Sequence, residues 1–300
     1  MDSNTELDSN DSLAIVVPVS LEPGSMNNLK SWLSIIPQGP IRVFVIHDQG
    51  DNDSTIELSQ IIESCADERI QLTEVQVRAP GLARNIGLAM VTQEWVAFVD
   101  SDDIPDVRSI IKMIKERNFD SKVLVGQYET YDYSSKKKIL NARKSSFLDL
   151  ALNVGIWRIV FNSTVIEKKL FTNLRMGEDQ IFLLTLQIFK QKVQFQKIKT
   201  YKYFKNVSNQ LTQNTNAIQD ISKAIPITLD YLNHSSGKET GYILIMLLRQ
   251  VITEFKYCTT KRFFVKIMTV FHWLRRIRPR YKIFILSSFF KIILYRIINA

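Results

Sequence analysis

Trp95 to Asp103 reads WVAFVDSDD, an apolar run that ends in three carboxylates. The β-branched and aromatic residues of WVAFV suit a strand buried on both faces. Ending abruptly in Asp100, Asp102 and Asp103, such a strand delivers charge to the carboxyl edge of a sheet, where open α/β sheets bind ligands. Asp100 and Asp102 are two residues apart, so continued strand geometry puts them on one face. Carboxylates this close repel unless a cation lies between them. Oxygen ligands suit Mg²⁺ or Mn²⁺, ions that keep coordination sites for substrate phosphates. The competing reading is an acidic turn, with Asp102 or Asp103 capping a helix that starts near Pro105.

Upstream, the chain alternates strand and helix. SLAIVVPVS (12–20) reads as a first strand, with Pro18 suited to its end. A helix follows over 26–35. IRVFVIH (41–47) is a second strand, ending in Asp48, and Asp53 or Ser54 is placed to cap the next helix. Residues 69–77 form a third strand and 81–91 a third helix, after which comes the acidic-ended strand. This order implies an α/β fold with a mostly parallel, Rossmann-like sheet. Downstream, a helix is predicted over 106–117 and a strand over 122–128. The Lys136–Lys138 run reads as a solvated hairpin turn. Further strands are predicted at 157–161 and within 194–204, with a helix over 178–190 between them. Beyond about 210 the β signal stops and helical patterns run over 218–233, 242–257, 261–277 and 281–298. The expected organisation is a disordered tail (1–11), a catalytic domain (12–210) and a helical, basic, amphipathic C-terminal region (211–300).

The formal net charge of +9 belongs to one end. Eleven of the 39 Lys and Arg lie between Phe255 and Ala300, a stretch with no Asp or Glu, leaving 28 against 30 acidic residues elsewhere. The distant pair Cys65 and Cys258 has no metal-ligand spacing and suggests a reducing compartment. The polar start, MDSNTELDSNDS, lacks the features of a secretory signal.

Four pieces stand in order: AIVVPVS, VFVIHDQGDNDST, GLARNIGLAMVTQEWVAFVDSDD and MGEDQIF. Together they resemble a family 2 glycosyltransferase of the bacterial surface-glycan type, with the glycosyltransferase-A fold, over about the first 200 residues. The resemblance implies an inverting enzyme that uses Mn²⁺ or Mg²⁺ and moves one sugar from a nucleotide-sugar donor, expected to be UDP-linked. The acceptor would be a hydroxyl of a glycan or lipid-linked glycan. It also implies roles. Pro18, Val19 and Asp48 lie against the nucleoside base, Arg84 and Asn85 hold the donor side, Asp100 lies near the ribose and Asp102 ligates the metal. Asp179 is the catalytic base, with Glu178 as its orienter or acceptor contact.

Elementary chemistry agrees with parts of this. A carboxylate at Asp48 can accept from a ring N–H or a ribose hydroxyl. A helix N-terminus carrying Gly81 and Arg84 suits a diphosphate, although Arg84 could instead pair with an acidic-loop aspartate. Glu178 and Asp179 equally suit helix-dipole compensation. His47 stands where the family often has another Asp, a departure from its pattern. The Gln-x-x-Arg-Trp motif of processive members is absent, with only LLRQVIT (247–253) vaguely similar, which argues for single transfer. Trp157, beside Arg158, is read as core rather than as a sugar platform.

The C-terminal region, with Phe, Trp, Leu and Ile among Lys and Arg, suits a helix lying on an anionic bilayer. The expected location is cytoplasmic, peripheral on the inner face of the plasma membrane through residues 255–300. An apolar face beside the cations fits lipid rather than nucleic acid. A packed helical lid is the alternative. Two rival functions remain: a nucleotidyltransferase, disfavoured because SLEPGSMNN (20–28) lacks a basic Gly-rich loop, and a non-catalytic membrane adaptor.

Overall fold

The computed structural model describes residues 11–20, 25–48, 52–140, 145–206 and 219–255. Nine strands form one sheet. They are β1 (Leu13–Val19), β2 (Ile41–Asp48), β3 (Ile70–Val75), β4 (Trp95–Phe98), β5 (Ile104–Pro105), β6 (Val123–Asp132), β7 (Lys138–Leu140), β8 (Ile159–Asn162) and β9 (Val193–Lys205). Their spatial order is β3-β2-β1-β4-β8-β6-β9-β5, with β7 paired to β6. The long ladders β3-β2-β1-β4 and β6-β9 are parallel, whereas β8 runs antiparallel to both β4 and β6. β5 runs antiparallel to β9.

The helices are α1 (Ser25–Leu33), α2 (Asn52–Cys65), α3 (Pro80–Met90), α4 (Val107–Lys115), α5 (Phe147–Leu152), α6 (Ser163–Ile166), α7 (Glu178–Thr185), α8 (Ile221–Asn233) and α9 (Glu239–Phe255). The buried-on-both-faces reading of β4 holds. Trp95 and Ala97 join a core with Leu13, Ile15 and the apolar faces of α1, α2 and α4. Val96 and Phe98 join the opposite core, with Val16, Ala83 of α3 and Phe182 of α7. A third core lies between α8, α9, α5 and α7. The predicted helices 218–233 and 242–257 are thus present as α8 and α9. Those at 261–277 and 281–298 lie outside the described residues, as do the tail expected over 1–11 and the membrane-binding region expected over 255–300 except for their end residues; Asp11 is buried and paired with Arg117 at 2.9 Å. Among the described residues, no helix is long and apolar enough to cross a membrane.

Close packing of α3 on the sheet depends on Gly87. A Cβ there would stand 2.4 Å from Val16 Cγ1, in the middle of β1. Gly87→Ala is therefore expected to lower stability by about 1–3 kcal/mol through overpacking, measurable as a lower urea midpoint.

Several boundaries differ from expectation. The 157–161 strand starts only at Ile159, after a 3-10 turn over Ile156–Arg158. β3 stops at Val75, because the next residues turn toward Asp48. α2 begins at Asn52, so Asp53 and Ser54 lie inside it. The helix after the acidic stretch is capped by Asp106, which accepts from Ser109 N at 3.0 Å, and not by Asp102 or Asp103. Lys136 does sit in a hairpin between β6 and β7.

Candidate active site

β1 has β2 on one side and β4 on the other, so the chain order reverses beside it. Such a switch point opens a crevice at the carboxyl ends of the strands. Pro18 and Val19 end β1 there, in register with Ile46 and His47 of β2. Pairing of β1 with β4 ceases at Val16 and Phe98, so the missing N–H of Pro18 costs no ladder bond on that side. His47 is buried; burial pulls its pKa down, and Glu74 and Asp48 oppose that.

The acidic stretch does not continue β4. The peptide N–H of Asp103 bonds to Asp100 O at 3.1 Å, closing a turn. The shared-face argument for Asp100 and Asp102 is therefore wrong: strand periodicity ends with the strand. The turn is held from three directions. The Asp100 N–H donates to the Tyr201 hydroxyl at 3.0 Å, the Asn28 amide donates to Asp102 O at 2.5 Å, and the Phe204 N–H donates to Asp103 Oδ1 at 2.7 Å. Asp103 is fully buried; burial first, then Asp102 and Asp100, push its carboxyl well above the usual range. It anchors the turn to β9, while Asp102 remains partly exposed.

Arg84 joins this turn to α7. Its Nη2 donates to Asp100 Oδ1 at 2.7 Å, and its Nη1 donates to Glu178 Oε1 at 2.8 Å and Asp179 Oδ1 at 3.1 Å. The guanidinium is buried and lies over the Phe171 ring, 5.5 Å from its centroid. Burial opposes its charge, but Asp179, Asp100 and Glu178 together outweigh burial and keep it protonated. Asn85, one residue on, brackets the Phe171 backbone: its amide donates to Phe171 O at 2.9 Å and accepts from Phe171 N at 2.8 Å. Asn85 thus fixes the ring on which Arg84 rests.

Glu178 and Asp179 open α7. Gly177 precedes them with φ 90, a left-handed conformation that favours glycine, and a Cβ there would also crowd Ala224 on α8 at 3.2 Å. From the sequence, a base at a helix N-terminus has its pKa pulled down by the dipole and raised by burial and nearby carboxylates, with the balance left undecided. Burial wins: both carboxyls are raised, Asp179 well above the ordinary value, although Arg84 pulls them down.

Asp48 accepts three backbone N–H groups, from Val77 at 2.8 Å and Arg78 at 2.9 Å on Oδ1, and from Ala79 at 3.1 Å on Oδ2. Arg78 adopts φ 54, a left-handed conformation uncommon outside glycine; the bonds to Asp48 offset that strain and set the entry into α3. Trp157 stacks on Tyr201, with centroids 4.5 Å apart, and meets the edge of Tyr128 at 4.7 Å. It stands in an aromatic wall beside the turn, in keeping with the core reading.

The family model for Glycosyl transferase family 2 matches residues 15–191. The chain belongs to that family. Two relatives, each named an uncharacterized glycosyltransferase, come from Rickettsia felis and Rickettsia bellii. The first is 26% identical over 148 residues, 45% of this chain and 23% of the relative. The second is 35% identical over 81 residues, 26% of this chain and 11% of the relative. The chain thus matches under a quarter of their length. Among solved structures, S. aureus TarS 1-349 in complex with UDP-GlcNAc superposes with TM-score 0.62 at 16% identity, covering 94% of this chain and 81% of that one. The mannosyltransferase PcManGT from Pyrobaculum calidifontis, in complex with GDP-Man and Mn²⁺, gives TM-score 0.51 at 12% identity, covering 94% and 86%. At such identities the likeness speaks to the fold, which agrees with the expected mixed α/β architecture.

Family 2 membership favours glycosyl transfer over the nucleotidyltransferase rival. A metal is a separate question. Among the described residues, no three His, Cys, Asp or Glu are grouped to cage an ion. Asp102, a partly exposed carboxylate on the turn, is an oxygen ligand of the kind that Mg²⁺ or Mn²⁺ takes one or two of, with phosphate and water at the other positions. Tyr201, Phe171 and Asn28 shape the site without any signal in the motifs. A tyrosine in a β-strand or an asparagine on a helix carries no mark of the turn it will meet.

Proposed function

We propose that the protein transfers one sugar from a nucleotide-sugar, UDP-linked, to a hydroxyl of a glycan or lipid-linked glycan, with inversion at the anomeric carbon. The observation that carries this reading is Arg84. Through one buried guanidinium it ties the acidic turn after β4 to the carboxylate pair of α7, which lies 94 and 95 residues from Arg84 in sequence. Donor-side and acceptor-side groups thereby share one cleft.

In this reading Asp48 keeps one of its four acceptor positions for a base N–H, the other three being used by the 77–79 backbone. Pro18 and Val19 supply the floor under the base. Asp100, its carboxyl partly in solvent, accepts from the ribose. Arg84 and Asn85 serve the donor side from beneath, by fixing Asp100 and Phe171. Asp102 would hold Mn²⁺ or Mg²⁺ with diphosphate oxygens and water, and the ion would supply Lewis-acid stabilisation of the departing diphosphate. Asp179 takes the proton of the acceptor hydroxyl, and burial, which raises its pKa, makes it a stronger base than an ordinary carboxylate. Glu178, on the same Nη1, orients the guanidinium that positions it. Attack opposite the diphosphate inverts the centre and needs no covalent enzyme intermediate. Residues 255–300 would keep the enzyme on an anionic membrane surface, and 12–210 would form the catalytic unit on which α8 and α9 pack.

Asp102→Ala is expected to weaken UDP binding about a hundredfold or more in the presence of Mn²⁺ and little without it, since a Lewis acid contributes several kcal/mol at such a charge. Isothermal titration calorimetry checks this. Unchanged affinity with Mn²⁺ would remove Asp102 from the donor site.

A further inference from the structure

Asp220 stands at the start of α8, where an aspartate ordinarily turns its carboxylate onto the N–H groups of the helix it precedes. This one does not. Its dihedrals are helical, φ −68 and ψ −22, and its side chain makes no capping bond. The carboxylate is directed across the fold instead. Oδ2 accepts from the Arg175 N–H and from Arg175 Nε, both at 3.0 Å, and Oδ1 accepts from Lys223 Nζ at 2.8 Å. Asp220 is buried, and the residue it holds is the third before Glu178. Hydrogen bonds to an ionised carboxylate are about twice as strong as neutral ones. Residues 171–177 belong to no helix or strand. Asn85 holds this segment at Phe171, and Asp220 holds it at Arg175.

The rest of α8 presses on the same segment. Ile221 and Ala224 share a core with Leu174 and Ile181. They also close over Gly177, where a Cβ would lie 3.3 Å from Ile221 Cδ1 and 3.2 Å from Ala224 Cβ. At the far end of α7, Thr185 Oγ1 and the Tyr231 hydroxyl are 3.1 Å apart. One helix thus holds α7 at its entry and its exit, and that helix lies beyond residue 191, where the family match ends. We infer that Asp220 is a positioning residue for sugar transfer: by clamping Arg175 it fixes the segment from which Glu178 and Asp179 enter the cleft, an assignment that rests on the reading of Asp179 as the base. A base must stand within hydrogen-bond reach of the proton it takes, and a misplacement of about 1 Å can cost on the order of 10²-fold in rate. The helices that follow the catalytic sheet are then part of the site rather than an appendage to it.

The test uses the full chain with Mn²⁺ and two probes, UDP-glucose and UDP-N-acetylglucosamine, read as release of UDP. D220A should lower kcat by about tenfold to a hundredfold, while KM for the nucleotide-sugar and affinity for UDP change by less than about twofold. D220N should recover most of the rate, because both Arg175 bonds fall on one oxygen and an amide oxygen can take its place. Amide hydrogen exchange needs no turnover. In D220A the N–H groups of Ile181 to Leu184 should exchange at least about tenfold faster, the scale of one lost hydrogen bond, with β1 to β4 unchanged. R175A keeps the backbone bond and loses the guanidinium one, so it should show a smaller loss of kcat in the same direction. Wild-type kcat in a folded D220A, a D220N no faster than D220A, a loss of kcat matched by a loss of UDP affinity, or unchanged exchange in α7 would each overturn the inference. Wild-type kcat in R175A would do so if D220A does not fold. D179N separates the two readings: normal turnover there removes the base, and this assignment with it, whereas a slow D179N beside a fully active D220A removes only the role of Asp220.

Discussion

Asp179→Asn is expected to lower sugar transfer by about 10²–10⁴-fold, the usual contribution of a positioned general base, while UDP affinity with Mn²⁺ is unchanged. An amide preserves the shape of the side chain and the acceptor atom facing Arg84 Nη1, at 3.1 Å in the native protein. It cannot take a proton at neutral pH. The pH profile adds a second readout. Burial holds the native carboxyl well above its ordinary pKa, so the fraction of enzyme with a competent base rises as pH rises through that value. The acidic limb of the native rate profile should disappear from the residual activity of the variant. Normal turnover by Asp179→Asn would move the base elsewhere, and Glu178 would be the next residue to replace.

The sequence was most informative where a local pattern and a global requirement coincided. WVAFV is apolar on both alternating faces because β4 has a helical layer above and below it, and such a strand needs no partner to be recognised. The Asp-rich end, MGED and the strand-ending Asp48 were legible for the same reason: charge at the end of an element is conspicuous. What could not be read was how these pieces meet. Local spacing suggested that Asp100 and Asp102 share a strand face, yet tertiary bonds from Tyr201, Asn28 and Phe204 fold them into a turn. Asp48 was legible as a site residue but not as the carboxylate that shapes the 77–79 loop, because those amides come from another strand end. Arg158 and Asp149 are nine residues apart and pair inside the fold; nothing in their spacing distinguishes them from ordinary surface charges.

Arg84→Met should produce the largest loss of stability of any substitution in the cleft, about 3–5 kcal/mol, the scale on which removal of one partner strands buried charge. Asp100, Glu178 and Asp179 would face one another without the cation that now touches all three. Arg84→Lys should recover only part of the loss, since the three donors of an ammonium radiate from one nitrogen and cannot span the carboxylates that Nη1 and Nη2 now reach separately. The deficit has a pH dependence whose sign follows from the pair on α7. Glu178 and Asp179 already have raised pKa values in the native protein, with burial as the main cause and Arg84 as the chief opposing influence. Without Arg84 those values rise further. A carboxyl with a folded-state pKa above its unfolded value costs nothing when protonated in both states. The cost grows as pH climbs from the unfolded pKa through the folded one. The difference in unfolding free energy between native protein and Arg84→Met should therefore be greatest at neutral pH and shrink as pH falls into the range where these carboxyls are protonated. Urea unfolding across that range measures it. A deficit independent of pH would mean that Arg84 acts by packing on Phe171 alone and that the three carboxylates are not joined through its charge.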